Sequence, residues 1–416
     1  MSDDEQNKND NTPDNQDGED LPEFLQEGDD DTGENQSALL RVLDDYSYKR
    51  VLEAPEPDLG LAEHRPFPFL AIVGQLEMRT ALLLSVVNPA IGGVLLIGPR
   101  GTGKTTAVRS LTGILPLVEV SICDDGVLPE DLEKLETDDA QALYPDCYDK
   151  WSRGESISRY EAIRLVELPL NATIDDVVGG INQRAATHRN VVRVERGILS
   201  RADNNILYVD EVNLLDDQIV DVILDAAAQG SFTVRRGAVA GTYRSKFVLV
   251  GSMNPEEGRL RPQILDRFGL RVNVRGLMSS EDRALIYERV RAFRRNPTRF
   301  IREWEAVTAA TQDDVAVAQE LLKETTIDEK VFEAGLALVQ RLDIDSHRAE
   351  FTMFEAARAH AAADNRTIAT MDDLRVVAPM ALRQRRSPFM VNFFSQQEEE
   401  DNKIQAIIND VTEDKA

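Results

Sequence analysis

The chain has 416 residues, 42% of them hydrophobic, enough apolar material for two or three domain cores. Its formal net charge of −27 sets up a repulsive field against phosphate polymers, which weighs against nucleic acid as a partner. No apolar run approaches the roughly 20 residues needed to span a bilayer, and no signal-peptide pattern opens the sequence.

In chain order, residues 1–66 read as an acidic, largely disordered extension. The first forty residues carry fourteen acidic side chains and one lysine, with too little apolar surface to offset the entropy of ordering. The extension is either a solubilising tail or a docking arm for a basic partner. Within it, a short helix is expected near Ser37–Glu53. Residues 67–276 alternate strand-like apolar runs with helical patterns, which predicts an α/β domain with a parallel sheet covered by helices on both faces. The strand candidates are "GGVLLIG", "LVEVS", "ILYVDE", "KFVLVGS" and "LRVNV". About 124–161 is acidic and weakly periodic and is expected to be an insertion, mostly loop with short helices. About 231–248, "GSFTVRRGAVAGTYRSKF", alternates apolar and polar residues around Gly237 and Gly241 and predicts a β-hairpin.

From 277 to 390 helical periodicity takes over, predicting an all-α domain. "TIDE", Thr326–Glu329, has capping-box spacing ahead of "VFEAGLALVQRL", and Thr370 is placed to cap the following helix. Residues 391–416 are expected to form an acidic tail with one amphipathic helix. Cys123 and Cys147 are expected to be reduced thiols. The four histidines, His64, His188, His347 and His360, are too scattered for a metal cluster. A cytoplasmic location is the expectation.

The chemistry concentrates in three places. Gly98-Pro99-Arg100-Gly101-Thr102-Gly103-Lys104-Thr105, followed by Thr106, fits G-x-x-x-x-G-K-[ST] between a strand and a helix. Triphosphate oxygens need converging backbone N–H donors, and glycines let the chain curl that closely. Lys104 supplies a mobile point charge for the β and γ phosphates, Thr105 a hydroxyl for Mg²⁺, and the helix start its positive end. "ILYVDE" ends in Asp210 and Glu211, carboxylates at the carboxyl end of a strand, suited to holding Mg²⁺ and to polarising water as general base. "KFVLVGSMN" ends in Asn254, either a water-orienting amide or the first residue of an Asn-Pro turn. Of Arg259, Arg261 and Arg267, the last follows a helix and precedes a glycine-bearing turn. There it is either a plain surface arginine or a charge offered in trans to a neighbour's nucleotide.

Phosphate loop, "DE" strand end, asparagine-bearing strand end, "LDRFG" and a C-terminal helical domain, in this order, resemble the AAA+ ATPases. The wording of "FPFLAIVGQLEMRTALLLSVVNPAIGGVLLIGPRGTGKTT", "GILSRADNNILYVDEVNLLDDQIVDVILDAAAQG" and "FVLVGSMNPEEGRLRPQILDRFGLRVNV" is similar to the ATPase subunit of magnesium chelatase, over Phe67 to about Arg386. The resemblance implies ATP and Mg²⁺ as ligands and ATP hydrolysis as the activity. It places Lys104 and Thr105 in Walker A, Asp210 and Glu211 in Walker B, and Asn254 at sensor 1. Arg267 becomes the arginine finger, Arg348 the sensor 2 arginine, and Ile72 and Val73 border the adenine. It implies a homo-oligomeric ring, a hexamer. Its partners would be a larger integrin-domain AAA+ subunit and a porphyrin-binding subunit, which together insert Mg²⁺ into protoporphyrin IX for chlorophyll or bacteriochlorophyll. "SHRAEF" departs from the family's glycine-rich wording around sensor 2, and "SICDDGVLPEDLEKLETDDAQALYPDCYDK" has no clear counterpart. The alternatives are a MoxR-like ATPase remodelling another integrin-domain protein and, from a different class, a nucleic-acid motor using the cationic hairpin residues Arg235, Arg236, Arg244 and Lys246.

Overall fold

The computed structural model describes residues 66–123, 127–135, 137–180, 197–236 and 239–386, with isolated positions between 396 and 404. The acidic extension to 65, its expected helix near 37–53 and most of the 391–416 segment lie outside the described residues.

The strands up to residue 273 among the described residues are β1 (Val94–Ile97), β2 (Leu117–Ser121), β3 (Ser158–Ala162), β4 (Leu165–Leu168), β5 (Ile206–Val209), β6 (Ser231–Arg236), β7 (Val239–Arg244), β8 (Val248–Met253) and β9 (Leu270–Asn273). Five of them form one parallel sheet in the order β4-β5-β8-β1-β9. All four residues of β1, "VLLI", and of β5, "ILYV", are buried. Such runs do not alternate with polar residues because both faces of a parallel sheet are covered. Successive side chains nonetheless leave on opposite faces. Val94 and Leu96, with Ile206, Tyr208 and Val250, join one apolar layer. Leu95 and Ile97, with Leu207, Val209 and Leu249, join the other.

Helices α1 (Leu76–Val87) and α2 (Lys104–Leu111) contribute to the first layer, and α3 (Asp217–Gln229) to the second. The short helix α4 (Pro262–Arg267) leads into β9. Beyond the sheet come α5 (Ser280–Arg295), α6 (Pro297–Leu321), α7 (Glu329–Arg341), α8 (Arg348–Ala363) and α9 (Met371–Leu382). Residues of α6, α7, α8 and α9 extend the first apolar layer. The fold is α/β, a covered parallel sheet followed by helices, as the alternating pattern predicts.

Three local expectations are corrected. "LVEVS" is a strand, β2, but it pairs antiparallel with β3 outside the main sheet, and Leu117 is exposed. The fifth sheet strand is β4, "LVEL", whose Leu168 is buried in the second layer. Two short apolar runs of four and five residues carry the same periodic signal, and only the packing surface distinguishes them. The short helices expected in 124–161 are present, but they, rather than loop, make up most of its described residues. Its helices Pro129–Glu133, Thr137–Leu143 and Pro145–Ser152 enclose a small core of Val127, Leu132, Ala140 and Ile157. Thr326 does not cap α7: it lies in a two-residue strand, and Asp328 is the N-cap, accepting from Lys330 N at 2.9 Å. Thr370 does cap α9, its N and Oγ1 donating to Asp373 Oδ2 at 2.7 and 2.9 Å. β6 and β7 form an antiparallel hairpin with Phe232 stacked on Tyr243. No disulfide joins Cys123 and Cys147.

Candidate active site

The carboxyl ends of β1, β5 and β8 open on one cleft, the place where a parallel sheet presents strand-end side chains to a ligand. β1 runs into the glycine loop. Gly98 N donates to Met253 O at 3.1 Å, and a Cβ on Gly98 would stand 2.0 Å from Val274 O, so no other residue fits this approach to the next strand. Gly103 takes φ +85°, a left-handed conformation that favours glycine, and caps α2 without any side-chain bond. The first N–H groups of α2 thus face the cleft without a capping acceptor, the arrangement that receives phosphate. A Cβ at Gly101 or Gly103 would meet nothing within 4 Å, so a cradle stands open above the loop.

The cleft encloses about 230 Å³ and is lined by Arg100, Gly101, Thr102, Gly103, Lys104, Thr105, Thr106, Asp210, Glu211, Ser252, Met253 and Asn254. Lys104 Nζ donates to the Gly98 and Pro99 carbonyls, each at 2.8 Å. Burial pushes its pKa down, against the opposing pull of Asp210, Glu211 and Glu257. Thr105 Oγ1 lies 3.1 Å from Tyr208 Oη, which donates to Asp210 Oδ1 at 2.8 Å. Ser252 Oγ donates to the same carboxylate oxygen and accepts from Glu211 N at 3.3 Å. Burial raises the Tyr208 hydroxyl well above the usual tyrosine pKa, so it remains a donor. These bonds hold a hydroxyl and a carboxylate together, a hard oxygen donor set suited to Mg²⁺.

Glu211 adopts φ +49°, left-handed for a residue with a Cβ, a kind of strain that clusters where side chains are re-aimed for function. Its Oε1 accepts from Arg100 Nη2 at 2.9 Å, and the same guanidinium reaches Glu257 at 2.7 Å. Asn254 is buried; its Oδ1 accepts from Glu256 N at 3.3 Å and its carbonyl from Asn213 Nδ2 at 3.4 Å.

A second cavity of about 540 Å³ shares Gly101, Thr102, Gly103 and Thr106 with the first. Ile72 and Val73 line it, with Met78, Leu277, Ile286 and Val290. Its shape is set by a turn at Gly74, φ +62°, and Gln75, φ +50°, whose Nε2 donates to Arg275 O at 2.6 Å. Arg289 on α5 donates to Ala71 O at 2.8 Å while lying over the Trp304 ring. An apolar slot beside a phosphate cradle suits a nucleobase.

The structure therefore brings the glycine loop, Asp210, Glu211, Asn254, Ile72 and Val73 together, and places the two remaining arginines elsewhere. Arg267 lines neither cavity: its Nη1 bonds Asp225 Oδ1 at 2.8 Å and the Asp221 carbonyl at 3.3 Å on α3. Arg348, at the start of α8, is half-exposed and lies 3.8 Å from Asp266. Sequence reasoning missed Tyr208, Ser252, Arg289 and Glu257, which shares the Arg100 guanidinium with Glu211. Tyr208 had a signal, since it stands two residues before Asp210 on one strand face. Ser252 had the same signal, two residues before Asn254, whereas Arg289 and Glu257 had none.

A family model described as magnesium chelatase, subunit ChlI, matches residues 185–263, and an AAA lid domain model matches 336–410. The chain is 41% identical over 349 residues to a magnesium-chelatase subunit ChlI homolog of Methanocaldococcus jannaschii, covering 80% of this chain and 93% of the archaeal protein. It is 41% identical to the magnesium-chelatase 38 kDa subunit of Acidiphilium rubrum, covering 77% and 90% of the two chains. A chain in a cryo-EM-based model of the complex between subunits BchI and BchD of magnesium chelatase is 38% identical, covering 77% of this chain and 97% of that one, with a TM-score of 0.44. At such identity across nearly the whole length of its relatives, this chain belongs to the magnesium chelatase subunit ChlI family, the AAA+ ATPase component of that enzyme.

Proposed function

We propose that this protein is the ATP-hydrolysing motor of a magnesium chelatase, driving Mg²⁺ insertion into protoporphyrin IX in chlorophyll or bacteriochlorophyll formation. The observation that carries the reading is the convergence of the glycine loop, Asp210, Glu211 and Asn254 on one cleft beside an apolar slot. The loop N–H groups and Lys104 bind the phosphates, and the slot lined by Ile72 and Val73 takes the base. Thr105 and Asp210 would hold Mg²⁺, whose charge, when bound, would offset that on the phosphate oxygens. Glu211 takes the proton from the attacking water, and the Asn254 amide orients that water. Arg267 lies away from its own cleft, which suits a residue that serves a neighbour's. An arginine supplied in trans is worth roughly 10³ or more in rate, so turnover requires assembly into a ring, of six subunits by family resemblance. In that ring Arg348, on the helical portion at 277–390, is assigned to sensing the nucleotide.

The relatives are named as subunits, which supports assembly with other chains. The expected partners are a larger integrin-domain subunit and a porphyrin-binding subunit, with the reaction in the cytoplasm. The nucleic-acid alternative is weakened by the hairpin itself, because Arg244 is bonded to Asp131 at 2.5 Å. The test is ATPase activity against protein concentration, then with the partner subunits and protoporphyrin IX. Lys104→Ala should abolish nucleotide binding; Glu211→Gln should retain binding and lose turnover by about 10² or more. Unchanged turnover in Glu211→Gln would remove the assigned base, and stimulation by single-stranded DNA would favour the nucleic-acid motor.

A further inference from the structure

The side chain of Arg385, three residues past α9, is fully enclosed. A guanidinium carries five N–H donors, and here every one has an acceptor. Nε donates to Ala381 O at 2.6 Å, at the end of α9. Nη1 donates to Asp266 O at 3.0 Å and Asp266 Oδ1 at 2.7 Å. Nη2 donates to Phe268 O at 3.2 Å and Gly269 O at 3.0 Å. Four of the five bonds therefore grip the backbone and side chain on both sides of Arg267. Opposite, Gly269 is pressed against Ile91, where an added Cβ would stand 1.9 Å from the carbonyl oxygen. The turn that carries Arg267 is thus held between a buried fork and a neighbouring backbone.

Burying a charged fork carries a solvation cost that an apolar side chain of similar volume would not incur. Its return is geometric: a planar donor set fixes the direction of several carbonyls at once. We infer that Arg385 is a positioning residue for Arg267, aiming it at the neighbouring subunit's nucleotide and tying that aim to helix α9. This rests on the proposed role of Arg267 in trans. A displacement of α9 would be carried to the adjoining cleft through one side chain, with no contact between Arg385 and any nucleotide.

The test uses the full chain and mixed rings. Arg385→Lys keeps the charge and stem but loses the fork; Arg385→Gln removes the charge. Each is assayed alone and mixed with Glu211→Gln, which has a dead cleft but an intact Arg267 to lend. Arg267→Ala mixed with Glu211→Gln is the control. We expect Arg385→Lys alone to bind a fluorescent ADP analogue normally, to turn over at least tenfold more slowly, and to regain turnover when mixed. If the control mixture fails to regain turnover, the trans role of Arg267 falls and this inference with it. If the control recovers but the Arg385 variants do not, Arg385 does not act through Arg267. Turnover within twofold of the parent, or loss of folded protein in both variants, also overturns the assignment.

Discussion

Tyr208→Phe removes one oxygen from behind the cleft and leaves the buried ring in place. The lost hydroxyl bonds Asp210 Oδ1 at 2.8 Å and lies 3.1 Å from Thr105 Oγ1, linking the two residues assigned to Mg²⁺. Asp210 keeps its bond from Ser252, so the carboxylate loses one of two restraints. A hydrogen bond to a charged group is worth about 1.5–3 kcal/mol, and removal of such an outer partner typically costs roughly 10–100-fold in metal affinity. The Mg²⁺ concentration for half-maximal ATPase should therefore rise about tenfold or more, while turnover at saturating Mg²⁺ stays close to the parent. Titration of ATPase against free Mg²⁺ at fixed ATP reads both quantities. A loss of turnover that Mg²⁺ does not restore would show that the hydroxyl serves the fold or the chemical step. An unchanged Mg²⁺ requirement would remove Tyr208, and with it the paired Thr105–Asp210 arrangement, from the metal argument.

Arg289→Ala frees the Ala71 carbonyl and loosens the turn beside the apolar slot. KM for ATP should rise by roughly tenfold, as for one lost charged bond, with kcat little changed; steady-state kinetics showing the reverse split would place Arg289 in the catalytic step. Asp373 is enclosed at the start of α9. Burial pushes its carboxyl up, but bonds from Arg366, Thr370 and His360 outweigh this and hold it well below the usual carboxylate range. A depressed carboxyl contributes stability that is complete above its unfolded pKa, about 3.9, and that is lost as pH falls through the lower folded value. Urea denaturation of Asp373→Asn should show a loss of about 3 kcal/mol near neutrality that narrows below about pH 4; a loss that does not change with pH would exclude this linkage.

The candidate site was legible in the chain because each of its parts is contiguous. A glycine loop must curl within a few residues, and "ILYVDE" and "KFVLVGSMN" carry their polar groups at the ends of buried strands that announce themselves by composition. The helical portion was legible for the same reason, through its period and the Thr370 cap. Tertiary structure alone decided which short apolar run joins the sheet: "LVEL" and "LVEVS" are alike in sequence, and only the surface each meets separates them. It also decided that Ser252 reaches Asp210, that Arg289 braces the turn beside the apolar slot, and that Arg385 grips the turn bearing Arg267. Each of those contacts joins residues at least 42 positions apart in the sequence, and two of them span more than 100. Local propensity acts over a few residues, whereas such pairings follow from strand order and packing, which no single stretch of sequence contains.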